Sequence, residues 1–451
     1  MWMIVAPAAA ESVRGSTLQL ELAAGEVRLL KVEQSGVDLQ IRMKDGQQEV
    51  VISHPLGHTG PELLLLGPYT AATTVALSAE VIDGKPLETL QYSSTSLKAD
   101  DPAVSVYRAL TEAGRQFHLR TADSLATALA LYSGADSQVL PTEWQRYPQY
   151  LAARVEFFRF DLQEAKQRLE AMPVSACTMP DYCYKADLLL QEIRFAQDDH
   201  GLVSEELVRL RSDLVQGERR EQYKADLALL LVNLGISEVI LGDRETSLPL
   251  LEAALALANE LQSNLLRGEA LNGLATWYVR SDQRSFTQVA DYLQQAADLL
   301  ALTANERAYV YVAGNLAISY MQVGELQLAQ KALLDVLPIA ERSQDASLRR
   351  IIYGNLATVY RQAGDRNPAE YYFRLSMEMD GISGRDDRRH VAMSSLGSML
   401  RERGDIAGAI GMHEQAYAFF RGSQQDDGQQ TMMALQEMAL DQFALGNHAQ
   451  A

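Results

Sequence analysis

Cys177 and Cys183 are the two cysteines of a 451-residue chain, with five residues between them. A thiol acts as a nucleophile when a base is held within reach. Around Cys177 the chain has helical patterning on both sides and the bracketing prolines Pro173 and Pro180, so a catalytic thiol is not expected there. In an oxidising compartment the pair would close a small disulfide loop worth about 2 kcal/mol. In a reducing one the same residues are two free thiols, and spacing alone does not choose. His54 and His58 stand four apart but in a Pro/Gly turn with no Glu between them, whereas zinc chemistry of that spacing needs a helical face. Asp198-Asp199-His200 and Asp426-Asp427 read as solvated loop charges. There is no phosphate-cradling glycine loop, no G-x-S-x-G elbow and no dinucleotide fingerprint. Neither an enzyme nor a cofactor or metal site is expected.

Charge and hydropathy narrow the partners. Forty Lys and Arg against 59 Asp and Glu leave a net charge of −19, which excludes the basic face that nucleic acids require and disfavours anionic membranes. The 47% apolar and 22% charged composition is that of a folding chain. No run reaches the roughly 18 to 20 apolar residues of a membrane span. The longest candidate, 227–241, contains Asn233, Ser237 and Glu238 and reads as a buried helix. The first ten residues, MWMIVAPAAA, end in an A-x-A-type cleavage site but lack a basic leader, so they read as the tail of an export signal. That reading places the protein in the periplasm or outside the cell, and otherwise in the cytoplasm.

The elements divide by period. Residues 17 to about 95 alternate apolar and polar side chains between turns such as Ala24-Gly25, Asp45-Gly46 and Asp83-Gly84, which predicts a small antiparallel β-sandwich over residues 11–98. From Ala103 onward the pattern is helical and repetitive. Leu234, Leu274, Leu316, Leu356 and Leu396 recur at spacings of 40, 42, 40 and 40, and extrapolation adds Ala152, Ile193 and Met438. Each unit carries two amphipathic stretches joined by a glycine and a capping residue: Gly242-Asp243, Gly324-Glu325, Gly364-Asp365, Gly404-Asp405 and Gly446-Asn447. One such hairpin cannot bury its own apolar face, so the units must stack into a solenoid. The spacing predicts a leading, capping hairpin over 99–135 and about eight repeats over 136–451. The last of these is cut short at Ala451, so a longer parent protein is expected.

The units resemble the tetratricopeptide repeat (TPR), with Leu-Ala/Gly at positions 7 and 8, Tyr at 11, Ala at 20, Phe or Leu at 24 and Ala or Ser at 27. The resemblance implies a right-handed superhelix whose first helices line the concave face through positions 2, 5, 6, 9, 12 and 13. Those positions hold Asn233, Asn315 and Asn355 (position 6), Asn272 (5), Arg361 and Arg401 (12), and Arg280, Gln322 and Gln362 (13). Amides can pair with an extended peptide backbone of any sequence, and the arginines suit an acidic peptide or protein partner. The same residues could equally bond neighbouring repeats or local carboxylates. In the N-terminal part, Leu22-Ala23-Ala24-Gly25, Val32 to Leu39 and Gly60-Pro61-Glu62 are similar to the pre-peptidase sandwich that precedes TPR arrays in bacterial TPR–CHAT proteins, which carry a caspase-like peptidase domain. Ser175-Ala176-Cys177-Thr178 imitates the nucleophile setting of that peptidase, without its strand or His-Gly. The resemblance implies a scaffold that regulates such a peptidase or recruits its substrates. The alternative is an extracytoplasmic sensor module of a kinase or cyclase.

Overall fold

The structure, a computed structural model, describes residues 11–446 except 36–37, 46–47, 54–58, 86, 120, 160, 173–179, 197–207, 209–223, 282–284, 304, 343–345, 384–385 and 423–427. The export-signal segment, His54, His58 and Cys177 lie outside the described residues, as does the side chain of Cys183; the expected disulfide therefore does too. Eight strands form two antiparallel four-stranded sheets. One has the order β1 (Glu11–Arg14), β8 (Thr89–Leu97), β3 (Val27–Ser35), β6 (Thr59–Leu66); the other β2 (Thr17–Leu22), β7 (Thr73–Asp83), β4 (Asp38–Asp45), β5 (Gln48–Ile52). Alternation builds the core. Leu18, Leu20 and Leu22 of β2 point inward with Leu39 and Ile41 of β4 and Leu30 and Val32 of β3, while Gln19 and Glu21 face water.

Strand β6 departs from alternation, since Leu63, Leu64, Leu65 and Leu66 are all buried. A continuous apolar strand needs cover on both faces. Leu64 and Leu66 enter the sandwich core, whereas Leu63 and Leu65 join Val27 in a second cluster with Tyr107, Leu110, Tyr132, Tyr147 and Leu151 of the helices. Two of the four edges, β6 and the end of β5, are met by a helix as well. Thr111 Oγ1 on α1 (Pro102–Leu119) accepts from the Leu65 amide at 2.8 Å, and the Gly114 carbonyl accepts from the Ser53 amide at 3.4 Å.

Sixteen α-helices follow among the described residues. After α1 come α2 (Ala122–Ser133), α3 (Tyr147–Arg159), α4 (Leu162–Glu170), α5 (Pro180–Ala196), α6 (Lys224–Leu241), α7 (Arg244–Leu261), α8 (Asn264–Arg280), α9 (Phe286–Leu300) and α10 (Glu306–Val323). The series closes with α11 (Leu326–Arg342), α12 (Ala346–Ala363), α13 (Arg366–Ser383), α14 (Asp386–Arg403), α15 (Ile406–Gly422) and α16 (Gln429–Ala444). The first helices of the repeats are α3, α5, α6, α8, α10, α12, α14 and α16. The glycines at the turns adopt φ of 84°, 84° and 93° at Gly324, Gly364 and Gly404, which ends each first helix. The amide of the next residue then bonds back to the last turn: Glu325 to the Tyr320 carbonyl, Asp365 to Tyr360, Asp405 to Leu400, each at 2.9 Å. Between helices the small Ala317, Ala329, Ala357 and Ala369 are fully buried beside the large Leu333, Leu356 and Phe373. Burying each of these large side chains contributes roughly 2 to 3 kcal/mol.

The compact units do not divide where the period changes. One is Met1–Gln283 with Leu302–Ala304, the other Arg284–Ala301 with Asn305–Ala451. Within the first, the sandwich is fastened to helices far along the chain. Asp83, buried at the end of β7, accepts from the Ser263 hydroxyl and from the Asn264 amide at 2.8 Å. Ser263 is itself the N-cap of α8, accepting from Leu266 N at 3.0 Å. A carboxylate at a helix N-terminus gains from both the unpaired amides and the helix dipole. Asp83→Ala should lower stability by roughly 1 to 3 kcal/mol, read as a lower Tm of the full chain, with Asp83→Asn intermediate.

Candidate functional site

On the inner face of the first unit one position is already engaged. Arg154 of α3, at position 9 of its repeat, lies 3.4 Å from Glu192 of α5 and is three-quarters buried. Burial disfavours its charge, but Glu192, Tyr150, Asp226 and Asp38 face it and hold the guanidinium pKa above its ordinary value. Asp38 belongs to β4, so the sandwich completes this charge cluster. Tyr150 is buried beside it, and burial pushes the phenol pKa upward. Asn233 on α6 and Asn272 on α8 are half-buried, and Arg280 at the end of α8 is exposed.

The second unit presents a more open face. On α10, Asn315, Ile318 and Gln322 are exposed, and the Arg307 guanidinium sits 5.4 Å above the Tyr311 ring. On α12, Asn355 donates to the Gly314 carbonyl of α10 at 3.2 Å, while Arg361 and Gln362 are exposed. Gly314 is what lets the helices meet: a Cβ there would stand 3.1 Å from Ile351 and 3.3 Å from the Asn355 amide nitrogen. Asn355 therefore takes the role of an inter-repeat bond and keeps its side-chain oxygen as an acceptor. Val391 of α14 and Leu440 of α16 add exposed apolar surface at positions 2 and 9 of their repeats.

Arg401 does not serve as an open cation on this face, contrary to the expectation that it would meet an acidic partner. Its guanidinium donates to Glu437 Oε2 at 2.6 Å and to Asp441 Oδ1 at 2.8 Å, both on α16. Burial works against the Arg401 charge, but these two carboxylates raise its pKa. Glu437 also accepts from Ser398 Oγ at 2.8 Å, and the Arg401 and Ser398 hydrogen bonds lower its pKa although burial opposes them.

Behind this network lies an arrangement that single residues in the sequence did not suggest. His413 of α15 is fully buried, with Nδ1 2.6 Å from Asp441 Oδ2. Ser398 Oγ is 3.5 Å from Nε2, so Ser398, His413 and Asp441 have the residue types of a hydrolase triad. The bonding rules that chemistry out. Nε2 lies 2.9 Å from the Ser394 carbonyl, which can only accept, so this nitrogen donates and cannot take a proton from Ser398. Among the described residues no group of His, Cys, Asp and Glu is arranged to hold a metal, and no helix is long and apolar enough to cross a membrane.

Comparison with known proteins agrees with the helical pattern. Models of the tetratricopeptide repeat match residues 306–380 and 391–421. These segments are tetratricopeptide repeats. No curated protein sequence matches the chain. Among solved structures, the fold is similar to a signal transduction ATPase with numerous domains and a tetratricopeptide repeat sensor from Pyrococcus horikoshii, at 13% identity and a TM-score of 0.55. The match covers 78% of this chain, which spans half the length of that protein. The apo quorum sensor NprR from B. thuringiensis is 14% identical, with 65% of this chain and 81% of that one covered and a TM-score of 0.48. A Rap protein complexed with competence and sporulation factor is 13% identical, with 78% and 100% covered and a TM-score of 0.48.

Gly397 supplies a test of the α14–α15 contact. A Cβ at this position would stand 2.5 Å from His413 Nε2 and 2.8 Å from Cδ2, in a ring held at both nitrogens. Ala is the better helix former by about 1 kcal/mol, yet Gly397→Ala should destabilise by roughly 1 to 3 kcal/mol through overpacking. Thermal unfolding of the variant reads the sign directly.

Proposed function

We propose that this protein is a scaffold that binds an extended protein or peptide segment along the inner face of its second unit. The observation that carries the proposal is the mixed character of that face: Gln322, Gln362 and the Asn355 oxygen offer hydrogen bonds, Ile318 is exposed on the same helix as Gln322, and Val391 and Leu440 are exposed further along, on α14 and α16. An extended chain offers the complementary pattern, unpaired backbone amides and carbonyls with side chains projecting at regular intervals. Exposed Arg361 suits an acidic residue in the bound segment, whereas Arg401 is engaged elsewhere. The resemblance of the N-terminal sandwich to pre-peptidase domains supports the wider reading that the segments held there are substrates or regulators of a caspase-like peptidase.

A displayed random-peptide library selected against the full chain supplies the probe, and fluorescence titration of an enriched peptide supplies the affinity. Ile318→Glu and the pair Gln322→Ala with Gln362→Ala should each weaken binding about tenfold or more, near 1.4 kcal/mol. Asn233→Ala, on the first unit, should leave affinity unchanged. Equal affinity for wild type and the second-unit variants would remove the assignment.

A further inference from the structure

Position 24 of successive repeats holds the large apolar residue that fills each hairpin: Leu251, Leu293, Leu333 and Phe373. In the next repeat it is His413. Where the second unit is best packed, position 24 shares a buried cluster with position 10 of the following first helix, Leu333 with Val359 and Phe373 with Met399. At the following joint both members change together, to His413 on α15 and Asp441 on α16, and both are fully buried. An apolar pair has been replaced by an ionisable one inside the array.

The geometry places an acceptor at each ring nitrogen. Asp441 Oδ2 stands against Nδ1 and the Ser394 carbonyl against Nε2, at 2.6 and 2.9 Å. Neither oxygen donates when Asp441 is ionised, so a hydrogen on both ring nitrogens, an imidazolium, completes the arrangement. The charged groups facing it are Arg401 from α14 and Glu437 and Asp441 from α16, with Glu437 Oε2 4.0 Å from Nε2 and the Ser398 hydroxyl beside it. Two cations then meet two carboxylates and the buried cluster is neutral. Removing one proton leaves it net negative and turns a nitrogen lone pair toward an oxygen, a costly arrangement away from water.

We propose that a proton on His413 seats α16 on the α14–α15 hairpin, which makes this joint of the solenoid pH-sensitive. The seating is complete while the ring is doubly protonated and is lost as pH rises and the ring gives up one proton. Ser398, Arg401 and Glu437 occupy inner-face positions 9, 12 and 6, so opening of the joint also dismantles the far end of the inner face.

Hydrogen–deuterium exchange of the full chain between about pH 6 and about pH 9, corrected for intrinsic exchange, tests the proposal. Opening of residues 429–444 should rise by up to about tenfold per pH unit above the ordinary imidazole range and level off once the seated ring itself has lost its proton, as one released proton requires, while residues 306–323 stay protected. The double substitution His413→Leu with Asp441→Val restores the apolar pair of the preceding repeats and should make 429–444 indifferent to pH. Protection of that helix independent of pH in the wild type would overturn the proposal, as would an unchanged pH profile in the double variant. Should the double variant not fold, nitrogen-15 NMR of the wild type decides: the proposal requires both His413 nitrogens to be protonated near pH 6, and a neutral tautomer there overturns it.

Discussion

A helical hairpin has two apolar faces and can cover only one of them itself. Every feature of this molecule answers that constraint. Between repeats the answer is the next hairpin, which is why Leu333, Val336, Leu356 and Val359 form one buried cluster drawn from successive units. At the beginning of the array the answer is different. There α1 lies against the sandwich, and Val27, Leu63 and Leu65 supply the apolar face that a preceding hairpin would have offered. The sandwich is a cap of foreign architecture, and α1 meets two of its four edge strands, β5 and β6, in the same contact.

The cap also divides labour along the array. Asp38 completes the charge cluster around Arg154, so this inner-face position of the early repeats is committed to the sandwich. In the later repeats some inner positions are engaged, as Arg401 is with Glu437, while Gln322, Ile318 and Gln362 are exposed. Polar residues at equivalent repeat positions thus do different work. Asn355 ties two first helices together, while Gln362, seven residues on, meets solvent.

Much of this was legible in the sequence because the repeat register is carried by side-chain size. Leu at 7, Ala or Gly at 8 and the turn glycine leave few alternatives, and the period-two runs of the first hundred residues are equally plain. The interactions between register positions were not. Asp83 read as ordinary turn chemistry with Gly84, and nothing near it signals a helix end 180 residues away. Arg401 was read singly, at position 12, and its partners become visible only when positions 6 and 10 of the next repeat are considered with it. His413 had a signal that single-residue inspection passes over: it stands where the other repeats keep Leu or Phe, and Asp441 where two of them keep Val or Met.

The Asp83 contact has a consequence for how the chain comes apart. In an ordinary repeat array each unit touches only its neighbours, so unfolding can begin at either end and travel inward one hairpin at a time. Here β7 is tied to the start of α8, and the chain between Asp83 and Ser263 forms a closed circuit. Hairpins inside that circuit cannot peel from the N-terminal end while the tie holds. The first unit is thereby made to stand or fall as a whole, and the array behaves as a zipper only beyond it.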